Sequence, residues 1–286
     1  MPENSVESVR GTLGAVIPRV LSIAGSDSGA GAGIQADLKA FAACGVHGTT
    51  AITAITAQNT VGVTAVHPIP PEIIIAQVTA VADDIGVDAV KIGMLGDRTT
   101  IEAVARAVAY LPDDTPVVLD PVMVAESGAV LLAPEARHAL VENLLPRATV
   151  ITPNIPEART LVGDPDGDLD IEALARRVHA LGPRAVVVTG GHREPITDVF
   201  FDGHRLEQLQ GERHPDGAAH GSGCTHSSAL AARLAHGDEP LEAARTAREL
   251  ASRAVAQGLR EIGAGPGPVD ILGIACKPGD WPVSSE

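Results

Sequence analysis

The segment His220-Gly221-Ser222-Gly223-Cys224-Thr225 places two glycines and a thiol just before an Ala-rich run that reads as a helix. Glycines there leave successive backbone N–H groups free to face an anion, and the helix N-terminus adds partial positive charge. Such a turn can hold a phosphate without a lysine. Gly221, Ser222 and Gly223 are therefore candidate phosphate-binding and charge-stabilising positions. Cys224 stands in the same field, which is expected to lower its pKa and make it a base able to take a proton from a substrate hydroxyl. A plainer alternative stays open: Ser222 caps the helix and Cys224 fills core space as a small hydrophobe.

Other segments could serve the same chemistry. The glycines and the Ser-Asp-Ser cluster from Gly25 to Gly33 join the first strand to the first helix, where open α/β sheets place a ligand crevice. Gly31 to Ala36 also matches the loose dinucleotide fingerprint, but the following strand, through Ala57, carries no acidic residue for a ribose, so that match is discounted. Asn154 and Glu157 stand three apart just after a strand. Glu157 could hold a Mg²⁺-bound water while Asn154 orients a phosphate oxygen, although N-x-x-E with an early proline also spells a capping box. Gln58 and Asn59 end an apolar strand, where amides could read the edge of a heterocycle or merely close a loop. Asp37 on the first helix reads as a solvated carboxylate unless a partner is found. Met94 could wall an aromatic substrate or fill core space. Lys39, Lys91 and Lys277 are the only lysines and none follows the Walker A pattern, so a P-loop kinase is excluded.

These residues need a scaffold, and the composition suggests which. The 286 residues are 45% hydrophobic but only 2% aromatic. Ala, Val, Ile and Leu must therefore fill the core, as suits strands buried on both faces. After a polar tail over residues 1–17, strands at Val20–Ala24, Thr49–Thr56, Ala89–Ile92, Val117–Leu119, Thr149–Ile151 and Ala185–Val188 alternate with helices at Ile34–Cys44, from Pro71, Thr99–Tyr110, Pro134–Leu145 and Ile171–Leu181. An edge hairpin is expected from Ile196 to Leu209, then helices Thr225–Ala235 and Leu241–Ile262. The fold class expected is α/β, one domain over residues 18–286. A formal charge of −15 argues against nucleic-acid or anionic-membrane partners. Three widely spaced cysteines, with neither a leader nor an 18-residue apolar run, point to a cytoplasmic protein.

Taken in order, AGSDSGAGAGIQADLKAF (24–41), ITAQNT (55–60), KIGML (91–95), LDPVM (119–123), TPNIPEA (152–158), HGSGCT (220–225) and GPGPV (265–269) resemble the hydroxymethylpyrimidine/phosphomethylpyrimidine kinases of the ribokinase superfamily. The resemblance implies a ribokinase-like three-layer α/β/α fold with a mostly parallel central sheet. It also implies Mg²⁺ and ATP, a homodimer, and two successive phosphorylations of 4-amino-5-hydroxymethyl-2-methylpyrimidine in thiamine biosynthesis. By the same resemblance Cys224 is the base, Gln58 binds the aminopyrimidine edge, and Asp37 and Gly25 help define its pocket. Met94 and Val122 pack on the ring, and Asn154, Glu157 and the 221–223 turn hold phosphate and metal. Such kinases commonly carry lysines where this chain has Glu126 and Thr189. Both changes remove positive charge, although Thr189 keeps one hydroxyl donor, and the second phosphorylation would feel the loss most. Pyridoxal kinases share the fold and also phosphorylate a ring hydroxymethyl, so pyridoxal is the alternative substrate. A catalytically silent pyrimidine-binding member is the alternative from another class.

Overall fold

The computed structural model describes residues 16–125, 128–190, 197–215 and 217–275. Glu126, Ile196 and all but two residues of the expected tail lie outside them. In chain order the elements are β1 (Arg19–Asp27), α1 (Gly33–Ala43), β2 (His47–Gln58), β3 (Val63–Pro68), α2 (Pro71–Asp84), β4 (Ala89–Ile92), α3 (Arg98–Val108) and β5 (Val117–Leu119). Then come α4 (Arg137–Asn143), β6 (Val150–Ile151), α5 (Ile155–Val162), α6 (Ile171–His179), β7 (Ala185–Val188), β8 (Thr197–Phe201), β9 (Leu206–Gln210), α7 (Ser222–Ala235) and α8 (Pro240–Ala256).

The strands form one sheet in the order β3-β2-β1-β4-β5-β6-β7-β8-β9. Pairs from β2 through β7 are parallel, while β3, β8 and β9 add antiparallel edges. Short Val/Ile strands buried on both sides are what parallel crossovers demand. On one side Leu21, Ile23, Val90 and Ile92 pack with Ile74 and Val78 of α2, Ile101 and Val104 of α3, Leu140 of α4, Leu161 of α5 and Leu174 of α6. On the other, Val20, Ala89, Val118 and Val187 pack with Phe41 of α1, Ala229 to Ala232 of α7 and Ala243 to Ala247 of α8. This is the three-layer α/β/α arrangement with a mostly parallel sheet that the sequence implied.

The chain punctuates these elements as its residues suggest. Asp97 caps α3 by accepting from Thr100 N–H at 2.8 Å. Asp170 caps α6 by accepting from Ala173 N–H at 2.8 Å. Both replace a helical bond that the first turn lacks, and Pro71 opens α2 where its missing N–H costs nothing. Several elements differ from expectation; the helix expected over Pro134–Leu145, for one, is α4 only from Arg137 to Asn143. The last helix, expected to reach Ile262, stops at Ala256 because Gly258 lies hard against Ala218 and Leu259 N–H turns away to Pro268 O at 2.8 Å. Helix α7 starts at Ser222 rather than at Thr225. Strand β3 was not foreseen, since Thr64 to Pro68 are all exposed and show no buried alternation. Among the described residues, no helix is long and apolar enough to cross a membrane.

Candidate active site

The chain runs from β1 to β2 on one side and returns as β4 on the other, so β1 and β4 flank the topological switch point where an open sheet leaves a crevice. Every candidate strand end points there. The loop after β1, Gln58 at the end of β2, Met94 after β4, Asp120 to Met123 after β5, Asn154 after β6 and Thr189 after β7 all belong to this edge. Gly25 to Asp27, expected in the loop, extend β1 instead.

The two glycine-rich turns pack directly on each other. Gly221 is the N-cap of α7 at φ 83°. Only glycine is unstrained there, and a Cβ on it would run into Gly31 O. A Cβ on Gly31 would in turn meet the His220 ring. Ser222 does not cap the helix with its side chain, which removes the plainer reading of that residue. Its N–H goes to Ala219 O at 2.9 Å. The N–H groups of Gly223 and Cys224 are left in the open first turn of the helix. The partner loop is tied by Asp27, which accepts from Gly29 N–H (2.7 Å), Gly31 N–H (3.0 Å) and Ala32 N–H (2.8 Å). His220 Nε2 lies 3.4 Å from the same carboxylate. Burial opposes the Asp27 charge, but His220 and these N–H groups outweigh it and hold the carboxyl below its usual range. The C-terminal strap completes the clamp: His220 N–H donates to Gly267 O and accepts at its own carbonyl from Val269 N–H.

Cys224 corrects the expectation of a lowered pKa. Burial pushes its thiol up to about 12; Lys91 and Gly33 N–H pull it down, while Asp37 and Asp120 add to the rise. The helix terminus alone does not make a thiolate here. Asp37 is likewise no solvated carboxylate. It is fully buried, 2.8 Å from Lys91 Nζ, and accepts from the hydroxyls of Ser22 (2.6 Å) and Ser228 (2.7 Å). It underlies the site rather than lining its opening.

Asn154 and Glu157 form the capping box after all, and the box itself brings Glu157 inside. Glu157 N–H donates to Asn154 Oδ1 at 2.8 Å, Asn154 N–H returns to Oε2 at 2.9 Å, and Met123 N–H reaches Oε1 at 3.3 Å. Burial, then nearby Asp120, pushes the Glu157 carboxyl up to about 8 against those N–H bonds. Thr189 pairs beside Asn154, its N–H on Pro153 O at 2.9 Å. The next residue, Gly190, donates to Asp198 Oδ1 at 2.8 Å, and Arg248 pairs with Asp198 Oδ2 at 3.0 Å. An arginine thus reaches this end of the sheet, but a buried carboxylate already balances it.

The Glu157 shift has a sign that stability can report. A carboxyl raised in the folded state contributes stability at low pH that is lost as pH climbs through about 8. His226, buried beside Arg248 and pushed down to about 4, acts oppositely, its contribution rising with pH only up to its ordinary value of 6.5. Between pH 6.5 and 8, without added divalent ion, the urea midpoint of wild type should therefore fall relative to that of Glu157→Gln. Parallel curves would contradict the burial and charge assigned to this carboxyl.

At the end of β1, the Met94 thioether lies over Gly25, whose missing Cβ would come 2.5 Å from Met94 Cε. Met94 O accepts from Thr53 Oγ1 at 2.8 Å. Gln58 Oε1 accepts from Thr56 Oγ1 at 3.2 Å, and Gln58 N–H and C=O are both tied to Ser28 Oγ. Gln58 to Val61, Ala125, His220 and Ala264 to Pro266 enclose a cavity of about 170 Å³. Val122 is half-buried after β5, beside Asp120.

Sequence reasoning missed Lys91, Asp120, Asp27 and the Ser227–Ser228 pair. A signal existed for the first: a lysine inside the apolar strand Ala89–Ile92 must be buried, and a buried lysine needs a partner. Asp120, held by Ser227 Oγ at 2.9 Å, is raised by burial, with Lys91 opposing.

The profile of the family described as phosphomethylpyrimidine kinase matches residues 27–270. A Rhizobium meliloti hydroxymethylpyrimidine/phosphomethylpyrimidine kinase is 50% identical over 255 residues, covering 87% of this chain and 95% of the relative. Among solved structures, pyridoxal kinase from Staphylococcus aureus in complex with ADP superposes with TM-score 0.80 at 35% identity, covering 89% of this chain and 93% of that one. Phosphomethylpyrimidine kinase from Clostridium difficile 630 does so with TM-score 0.72 at 39% identity, covering 83% of this chain and 99% of that one. With both glycine turns, the Cys224 helix and the Asn154–Glu157 box inside the matched span, the chain belongs to the phosphomethylpyrimidine kinase family.

Proposed function

We propose that this kinase moves the terminal phosphoryl group of ATP first to the hydroxymethyl oxygen of 4-amino-5-hydroxymethyl-2-methylpyrimidine and then to the resulting monophosphate, within a single domain over residues 18–286. The observation that carries the proposal is the packing of the 221–224 turn against the Gly29–Gly33 loop, which brings the start of α7 and a thiol to one crevice. Gly221, Ser222 and Gly223 cradle the transferring group, whose loose transition state spreads charge over its oxygens. Cys224 Sγ takes the hydroxyl proton once it has lost its own. Gln58 reads the aminopyrimidine edge, Met94 and Val122 flank the ring, and Gly25 makes room for the methionine. Asp37 acts from beneath.

Mg²⁺ suits the acidic side of the crevice. Glu157 and Asp120 are both raised by burial, and the charge of Asp120 raises Glu157 further, a conflict a divalent cation relieves. Among the described residues no group of three or more His, Cys, Asp or Glu converges on one point. Glu157 is therefore the protein contact, and phosphate and water supply the remaining oxygens. The ion, when bound, neutralises phosphate charge. Asn154 and Thr189 face the nucleotide phosphates.

A homodimer and a cytoplasmic setting belong to the same proposal. Exposed Ile55 on β2 and exposed Val61 and Val66 at the sheet edge support a second copy as partner. The charge of −15 supports the lack of a nucleic-acid partner.

ADP release with the pyrimidine or its monophosphate, each with Mg·ATP, tests the activity. Both should turn over, the monophosphate more slowly. No turnover of either would refute the proposal. Thr189→Lys should raise kcat/KM for the monophosphate about tenfold, roughly the worth of one charge-assisted hydrogen bond to phosphate. No gain would mean that the missing lysine charge does not limit the second step.

A further inference from the structure

Lys91 is fully buried on a strand whose neighbours Val90 and Ile92 face the opposite helical layer. Its side chain therefore points toward α1 and α7. A buried ion pair is a weak stabiliser, and an aliphatic residue would fill such a position at lower cost. Yet the surroundings are shaped to keep this one. Asp37 Oδ1 sits 2.8 Å from Nζ, Ser22 and Ser228 hydroxyls steady the carboxylate, and Gly93 lacks a Cβ that would come 2.8 Å from Nζ.

The arrangement is aimed at Cys224. Ser228, which bonds Asp37, lies one helical turn after Cys224, so the two share a face of α7. The charges of Lys91 on β4, Asp37 on α1 and Asp120 at the end of β5, which Ser227 Oγ holds, all act on the thiol, and Gly33 N–H bonds it. One cation and two carboxylates bear on the sulfur, and the cation is the one that favours a thiolate.

We propose that Lys91 is a positioning residue for phosphoryl transfer, its buried ammonium easing loss of the Cys224 proton against the opposing effect of burial while Asp37 limits how much of that charge the sulfur feels. The catalytic use of this device rests on Cys224 being the base. The thiol first gives its proton to solvent through its partly exposed face. As the substrate oxygen bonds to the phosphorus and ADP leaves, the hydroxyl proton passes to the thiolate, and solvent then removes it for the next turnover.

The pH dependence of Cys224 alkylation by iodoacetamide, read at the level of its peptide by mass spectrometry, tests the proposal without relying on turnover. Asp37→Asn should lower the apparent pKa of Cys224. Lys91→Met should raise it, and where that variant folds poorly, Lys91→Met placed in the Asp37→Asn background replaces the pair by neutral groups. Relative to Asp37→Asn alone, this double variant should titrate about one pH unit or more higher, the usual effect of removing a nearby opposite charge. Single variants that move the thiol in the same direction, or a double variant that titrates with Asp37→Asn, would overturn the proposal. The acid limb of kcat/KM should move with the alkylation profile. Alkylation that shifts while the limb stays fixed supports the charge control and refutes Cys224 as base.

Discussion

Cys224→Ala should bind the pyrimidine almost as wild type does and lose the first phosphorylation by about 10² or more, the usual size of a lost general base. The separation follows from where the thiol sits. It is partly exposed at the crevice, in the first turn of α7, bonded by Gly33 N–H, and Lys91 keeps Asp37 as its ion partner, so removal creates neither a large cavity nor an unpaired charge. The residues assigned to the ring, Gln58, Met94 and Val122, come from other elements and keep their supports. Calorimetry should show near-native affinity while ADP release collapses. Turnover near that of wild type would show that another group takes the proton.

Gly221→Ala should be more damaging still, because two constraints coincide at one residue. Its φ is 83°, in the left-handed region. An L-residue held there costs roughly 1–2 kcal/mol. The added Cβ would also run into Gly31 O, a collision relieved only by parting the two glycine turns. That moves the N–H groups of Gly223 and Cys224 away from the transferring phosphoryl. Loss of such preorganised donors typically costs about 10²–10³ in kcat. Gly45→Ala is the control, since Gly45 shares the positive φ, 72°, but nothing lies near its missing Cβ. Both variants should lose stability, and only Gly221→Ala should lose turnover to this extent. Equal activities would mean that contact between the turns does not position the donors.

Much of the fold was legible because its signals are local. Ala89–Ile92, Val117–Leu119 and Ala185–Val188 are short apolar runs bounded by turns, and the observed strands have the same ends. What escaped depends on partners remote in sequence. Strand β3 exists because β2 offers it an edge, with Ile55 opposite His67 and Ala57 opposite Ala65, a pairing its exposed residues do not announce. The site divides in the same way. The glycine turn that opens α7 was readable from its glycines beside a helix start, whereas the Lys91–Asp37–Ser228 network joins residues 54 and 191 positions apart. For Cys224 the error was physical: a helix N-terminus lowers a thiol pKa, but burial beside Asp37 and Asp120 is the stronger effect. For Asn154 and Glu157, a capping box and a buried acidic contact are compatible, since the backbone bonds that cap α5 also fix the carboxylate beside Asp120.

The central claim, phosphoryl transfer onto a pyrimidine hydroxymethyl at the Cys224 turn, is tested most directly by comparing kcat/KM for the hydroxymethylpyrimidine and for pyridoxal under Mg·ATP, with the phosphorylated products identified by phosphorus NMR. The pyrimidine should be the better substrate and its product a phosphate ester of the hydroxymethyl oxygen, formed by wild type and about 10² or more slower by Cys224→Ala. Preference for pyridoxal, or ester formation near the wild-type rate in Cys224→Ala, would contradict it.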